Sequence, residues 1–184
     1  MNYRHIYHAG NFADVFKHAV LLAVLDYLHV KDKPFFALDT HAGTGLYRLD
    51  ASEALKTRES AGGVEKVLSD QGRSEILRAY QDHVRSVPGN EESLQLYPGS
   101  PWLIRAMLRA NDHAVFNERH PEDVQTLRTH LGQDRRVRIE SRDGYECVRA
   151  LLPPSSRRGL VLIDPPFEVT DEFEQMARAL RDGI

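Results

Sequence analysis

The stretch GLVLIDPPFE, Gly159–Glu168, decides the fold. Leu160 to Ile163 form an unbroken branched apolar run, which reads as a strand covered on both faces, as in parallel sheets. The run stops at Asp164, and Pro165 and Pro166 then remove two backbone donors, so the ladder cannot continue. Phe167 adds an aromatic ring beside the break. A buried strand that carries a carboxylate to its C-terminal end is how open α/β sheets present groups to ligands.

Working outward, FFALD (Phe35 to Asp39), AVFNE (Ala114 to Glu118) and VRIES (Val137 to Ser141) have the same strand character. Amphipathic helical runs alternate with them: WLIRAMLRAN, PEDVQTLRTHL, GYECVRALL and DEFEQMARAL. This alternation predicts an α/β fold, a parallel sheet with helices on both faces, because parallel strands require crossovers. Asn11 is placed to cap a first helix running to about Val30, with Val15, Phe16, Ala19, Val20, Leu22 and Ala23 at helical spacing. Between Leu46 and Asn90 the pattern turns helical and polar, which predicts an insertion at about 46–90. Ser100 and Pro101 read as the cap and first turn of the next helix.

The 184 residues are expected to form one domain, 1–184. The last strand, LVLID, has nothing after it except one helix. It would be an apolar edge, so the C-terminal part of the sheet is expected to be missing from this chain or covered by another. A net charge of −3 argues against a wholly basic nucleic-acid binder. The single cysteine, Cys147, excludes an intrachain disulfide. The polar start and the lack of a long apolar run lead to the expectation of a cytoplasmic protein without a membrane anchor.

Each core strand ends at a distinctive polar group: Asp39 with His41, Glu118, Asp143 with Gly144, and Asp164. These are expected to face one crevice. The turn DTHAGTG permits close backbone approach to a ligand but is not the full dinucleotide fingerprint. Glu118 suits a ribose diol, and Asp143 with Gly144 suits an adenine edge, although Asp143 also reads as a helix cap. Together they suggest an adenosine site.

At the opening stretch, Asp164 and the Pro165 carbonyl are acceptors without competing donors, and Phe167 is a flat face. This matches a planar substrate bearing an exocyclic amine, such as adenine. Acceptors on its N–H groups would stabilise positive charge developing on nitrogen as it attacks a methyl group. Swinging a base out of its stack costs a few kcal/mol, and base–aromatic stacking returns about 1–3 kcal/mol, so one ring can nearly offset extrusion.

The chain resembles the class I S-adenosylmethionine-dependent methyltransferases that act on exocyclic amines, and within them the RlmJ family, which methylates adenine N6 in 23S ribosomal RNA. YRHIYHAGNFADVFKH, LDTHAGTG, YPGSP, NERHP, RDGYE and RRGLVLIDPPFE carry the resemblance. It implies a Rossmann-like sheet and S-adenosylmethionine as cofactor. It implies that Lys17, His18, His41 and Ser100 lie at the methionine end, Glu118 at the ribose, and Asp143 with Gly144 at the adenine. It makes Asp164 the catalytic acceptor, with Pro165 and Phe167 beside it. Tyr3, with Phe167, would help enclose the target base. The full-length protein is expected to be a monomer. Two features depart from the family: Phe167 stands where many relatives carry tyrosine, and the family continues past the residues given.

Other readings stay open. The same chemistry could serve a DNA adenine or a protein glutamine amide, and a non-catalytic RNA- or cofactor-binding fragment is the rival from another class. His5, His8 and His18 raise a metal site, but no cysteine pair accompanies them and no metal is expected. Arg135, Arg136, Arg138, Arg142, Arg157 and Arg158 either clamp RNA phosphates or are plain surface.

Overall fold

The structure, a computed structural model, describes residues 4–70, 74–168 and 170–183. Its centre is a parallel sheet built from β1 (Phe36–Asp39), β4 (His113–Asn117), β5 (Val137–Glu140) and β6 (Gly159–Leu162), in the order β5-β4-β1-β6. From β1 the chain moves outward through β4 to β5, then returns past β1 to lay β6 on its other side. The order therefore reverses between β1 and β6, and the crevice above such a reversal is where open α/β sheets bind ligands.

Alternation along the strands builds two cores, one on each face. Ala37, Ala114 and Phe116 face a large cluster formed with α1 (Phe12–His29), α5 (Ser100–Met107) and α6 (Pro121–Leu131). Leu38 and Val115 face a smaller one with Tyr145, Cys147 and Val148 of α7 (Gly144–Leu151) and Ala179 of α8 (Glu172–Gly183).

Asn11 caps α1 by accepting from the Asp14 N–H at 2.9 Å, as expected. The apolar residues at helical spacing divide between two faces, since Phe16 is 73% exposed and Val20 48% exposed. The helix carries two apolar stripes. Val15, Ala19, Leu22 and Leu25 face the sheet, while Phe12, Phe16, Val20, Val24 and Tyr27 follow one another at three- and four-residue spacing on the outer side. Phe16 and Val20 share a cavity wall with Leu162 and Ile163 at the end of β6. The outer edge of β6 has no partner among the described residues, as the sequence led us to expect.

The insertion also differs from expectation. Its first residues are not helical: β2 (Leu46–Arg48) pairs antiparallel with β3 (Leu96–Pro98), closing a neck at the base of the inserted segment. Above the neck lie α2 (Ser52–Thr57), a 3-10 turn at Glu59–Gly62, α3 (Val64–Ser69) and α4 (Glu75–Arg85). Asn90 fixes the return path. Its amide donates to Val84 and Leu96 carbonyls and accepts from the Gln95 and Leu96 N–H groups, so no polar atom is left over. Ser100 is the first helical residue of α5 rather than its cap. Gly99 holds the cap position with no side-chain bond, which frees the Ser100 hydroxyl for the site.

The insertion grips the N-terminal segment before α1. The Val64 N–H donates to the Gly10 carbonyl at 2.8 Å, Glu59 bonds His8 and Asn11, and the Thr57 hydroxyl donates to the Tyr7 carbonyl. A Cβ on Gly63 would run into the backbone of Gly10 and Asn11. Gly63→Ala is therefore expected to separate the two segments and to lower stability by about 1–3 kcal/mol. Denaturant unfolding and protease sensitivity near residue 10 would check it.

Candidate active site

The crevice has two adjoining chambers above the C-terminal ends of the strands. One, of about 530 Å³, is lined by Lys17, His18, Ser100, Asp164, Pro165 and Phe167 among others. The other, of about 590 Å³, is lined by Asn117, Arg119, Asp143, Gly144 and Tyr145 among others. His41, Glu118, His120 and Pro166 line both and so form the wall between them. The structure thus brings together the described residues that the sequence singled out for the site, with the exception of Asp39, which is fully buried, lines neither chamber and reaches the site only through the Ser100 hydroxyl. Tyr3 lies outside the described residues.

Glu118, just past β4, anchors the middle. One carboxylate oxygen accepts from the Gly43 N–H at 2.8 Å and the other from the His120 N–H at 2.7 Å. Burial pushes its carboxyl up, and those two bonds oppose the shift. Each oxygen keeps a lone pair, so the group can still accept from a vicinal diol. Gly43 has φ +62°, and its Cβ position is filled by the Tyr47 hydroxyl, so only glycine fits.

Asp143 caps α7 through the Tyr145 and Glu146 N–H groups at 3.0 and 3.3 Å and meets Arg119 at 3.4 Å. Capping and exposure to the chamber coexist. Gly144 packs beneath the His41 ring, where an added Cβ would stand 2.8 Å from Cε1. Burial lowers the His41 pKa, which favours a neutral ring.

Ser100 donates to Asp39 at 2.6 Å, so it offers a ligand lone pairs rather than a proton. Asp39 is fully buried, and burial pushes its carboxyl up to about 6 despite the Ser100 bond. His18 is also buried. Its Nδ1 pairs with the Tyr97 hydroxyl at 2.8 Å, while its Nε2, next to the chamber, has no hydrogen-bond partner among the described residues. Burial, aided by the Lys17 charge, pushes its pKa down to about 3, so it is a neutral ring.

Lys17 does not point to open space. Its ammonium lies 2.8 Å from Asp14 Oδ1 and 2.7 Å from Asp164 Oδ2. Burial opposes the charge, but the two carboxylates raise its pKa well above the usual lysine value. Asp14 was not foreseen, nor was the partner on its far side, His5 Nε2 at 2.9 Å. The i,i+3 spacing of Asp14 and Lys17 was the readable signal.

Asp164 lies just beyond β6, and the prolines leave the turn without N–H groups to compete for it. Phe167 has φ +52°, a left-handed conformation uncommon for an aromatic residue and a mark of functional sites. Its ring is half exposed and packs against Phe173 at 5.0 Å between centroids.

Most of the arginines considered for phosphate clamping lie elsewhere. Arg135, Arg136, Arg138 and Arg158 line a cavity with Phe36, His113 and Val137, at the opposite, N-terminal end of the strands. Arg136 is bound to Asp134 and the Leu108 carbonyl, and Arg158 to the Leu28 and Lys33 carbonyls. Arg142 is paired with Glu140. Among the described residues no cluster of side chains suits a metal ion, and no helix is long and apolar enough to cross a membrane.

The family model described as Ribosomal RNA large subunit methyltransferase D, RlmJ, matches residues 32–184. Two curated relatives, both named Ribosomal RNA large subunit methyltransferase J, are similar over the whole chain: 39% identical in Haemophilus influenzae and 40% in Escherichia coli K12. The chain spans 65% of the length of each. A crystal structure of a Legionella pneumophila protein of family DUF519 superposes with TM-score 0.88 at 36% identity, covering 96% of this chain and 64% of that one.

The Asp39 shift has a stability consequence. Its folded pKa lies above the ordinary value of 3.8, so the folded state holds the proton more tightly and ionisation lowers stability as pH rises from about 4 to about 6. Asp39→Asn should gain stability relative to the parent across that window, with a constant difference above it. Denaturant unfolding at a series of pH values would measure this.

Proposed function

The chain belongs to the RlmJ family of large-subunit ribosomal RNA methyltransferases, and from that premise we propose that it carries the catalytic crevice of an enzyme that methylates the exocyclic N6 of an adenine in 23S ribosomal RNA. The observation that carries the reading is the meeting of Asp164, Pro165 and Phe167 with Glu118 in one chamber, and of Glu118 with Asp143 in the next.

The crevice fits S-adenosylmethionine. Glu118 is suited to the ribose diol, Asp143 and Gly144 to the adenine, and His41, Ser100 and His18 Nε2, which has no partner among the described residues, to the polar methionine end. When bound, that cofactor supplies an electrophilic methyl group on a sulfonium. The protein's own task is to present the target nitrogen. Phe167 offers a half-exposed ring for an extruded purine. Asp164 and the Pro165 carbonyl accept from the two amine hydrogens, stabilise positive charge growing on nitrogen, and give its released proton an acceptor in Asp164. Lys17 acts on Asp164 rather than on the cofactor, since its ammonium is already committed there.

Labelled-donor assays on 23S ribosomal RNA fragments, DNA and a glutamine-containing protein substrate test the reading. Methylation of adenine in the RNA is the expected result, and preference for DNA or protein would overturn it. Asp164→Ala should lower kcat by on the order of 10²–10³-fold while RNA binding persists. Unchanged turnover would exclude Asp164 as the acceptor. Glu118→Ala should weaken donor affinity by about tenfold or more, the value of a hydrogen bond to a charged group. Calorimetric titration of the donor would read this.

A further inference from the structure

The Lys17–Asp164 contact raises a difficulty for any reaction that builds positive charge in this chamber. An ammonium 2.7 Å from the carboxylate cancels much of the field that the acid would direct at the target nitrogen. We propose that Asp14 resolves this as the positioning and counter-charge residue of the site: it holds Lys17 from the far side and leaves the cluster negative toward the substrate. The inference rests on the methyl-transfer reading above.

Asp14 lies in the first turn of α1 and is 2% exposed. Its Oδ1 meets Lys17 Nζ at 2.8 Å, and its Oδ2 accepts from the Gly10 N–H at 2.9 Å and meets His5 Nε2 at 2.9 Å. Burial alone would push this carboxyl up, but His5 and Lys17 hold it well below the usual range, so it is ionised. Asp14 and Asp164 against the Lys17 ammonium leave these three groups with one negative charge. Without Asp14 the pair would be neutral and the stabilisation of a developing ammonium would be lost.

Geometry adds a second effect. Lysine is a flexible point charge, but here it is drawn to a carboxylate on each side. That fixes Nζ and ties back Oδ2 of Asp164, so Oδ1 is the oxygen left for a substrate N–H. Small misplacement of such a group is enough to reduce turnover by as much as 10²-fold.

The test is Asp14→Asn, close in shape and still able to accept from Gly10. The groups bearing on Lys17 are Asp14 on its own helix, Asp164 beyond β6, Asp39 at the end of β1, His18 beside it, and His5 across Asp14. Losing one of two nearby carboxylates lowers the lysine pKa. The expected result is a kcat reduced by about 10–100-fold, an unchanged donor KM, and an alkaline limb of the pH–kcat profile displaced to lower pH. Loss of mere packing would not move that limb. Parental kcat with an unmoved limb, in a preparation whose parent is active, would overturn the inference alone. If the parent transfers no methyl group to RNA, the functional reading falls and takes the inference with it. Should the variant not fold, amine-selective labelling of the parent decides: Lys17 is expected to stay unmodified at a pH where the exposed lysines react, and prompt modification would overturn the proposal.

Discussion

One ammonium group holds the working parts of this molecule in register. Lys17 Nζ joins the first turn of α1 to the proline-locked turn after β6. Through Asp14 the same network reaches His5 and the Gly10 backbone in the N-terminal segment. Two stretches far apart in sequence, residues 5–17 and the turn at Asp164, are thus joined through a single cation. Each contact joins ions or a charged acceptor, and such bonds are shorter and about twice as strong as neutral ones. Partial burial limits screening by salt, so the network is stiffer than a surface pair.

The insertion belongs to the same construction. Its 3-10 turn and α3 hold residues 7 to 11 by side-chain and backbone bonds. Those residues lead directly into the cap of α1 and therefore set where Asp14 and Lys17 stand. Arg4, bound to Asp123 at 3.0 Å, fastens the segment to α6 on the other side. His5 and Asn11, among the described residues before α1, are consequently part of the crevice wall, and the antiparallel pairing of β2 and β3 closes the base of the insertion.

Much of this was readable in advance, for physical reasons. Parallel strands covered on both faces have a strong apolar signature, so all four core strands were found, and the acids at their ends followed from the polarity of the crevice. The cap at Asn11 was a local signal. Other features depend on tertiary pairing. LYR and LYP are too short to declare themselves as strands, and only their contact with each other makes them so. Phe16 and Val20 carry the same periodicity as the true core residues, and only placement shows which stripe faces the sheet. That two carboxylates flank Lys17 could not be read from its residue type, because Asp164 meets it only in the folded chain.

Cys147 is fully buried between α7 and the sheet, and burial pushes its thiol up to about 11. Since it is the chain's single sulfhydryl, an alkylating reagent finds no thiolate to attack while the α7–α8 layer stays closed. The rate of its capture therefore acts as a built-in clock for the opening of that layer, whose residues Gly144, Tyr145 and Glu172 also wall the second chamber of the crevice.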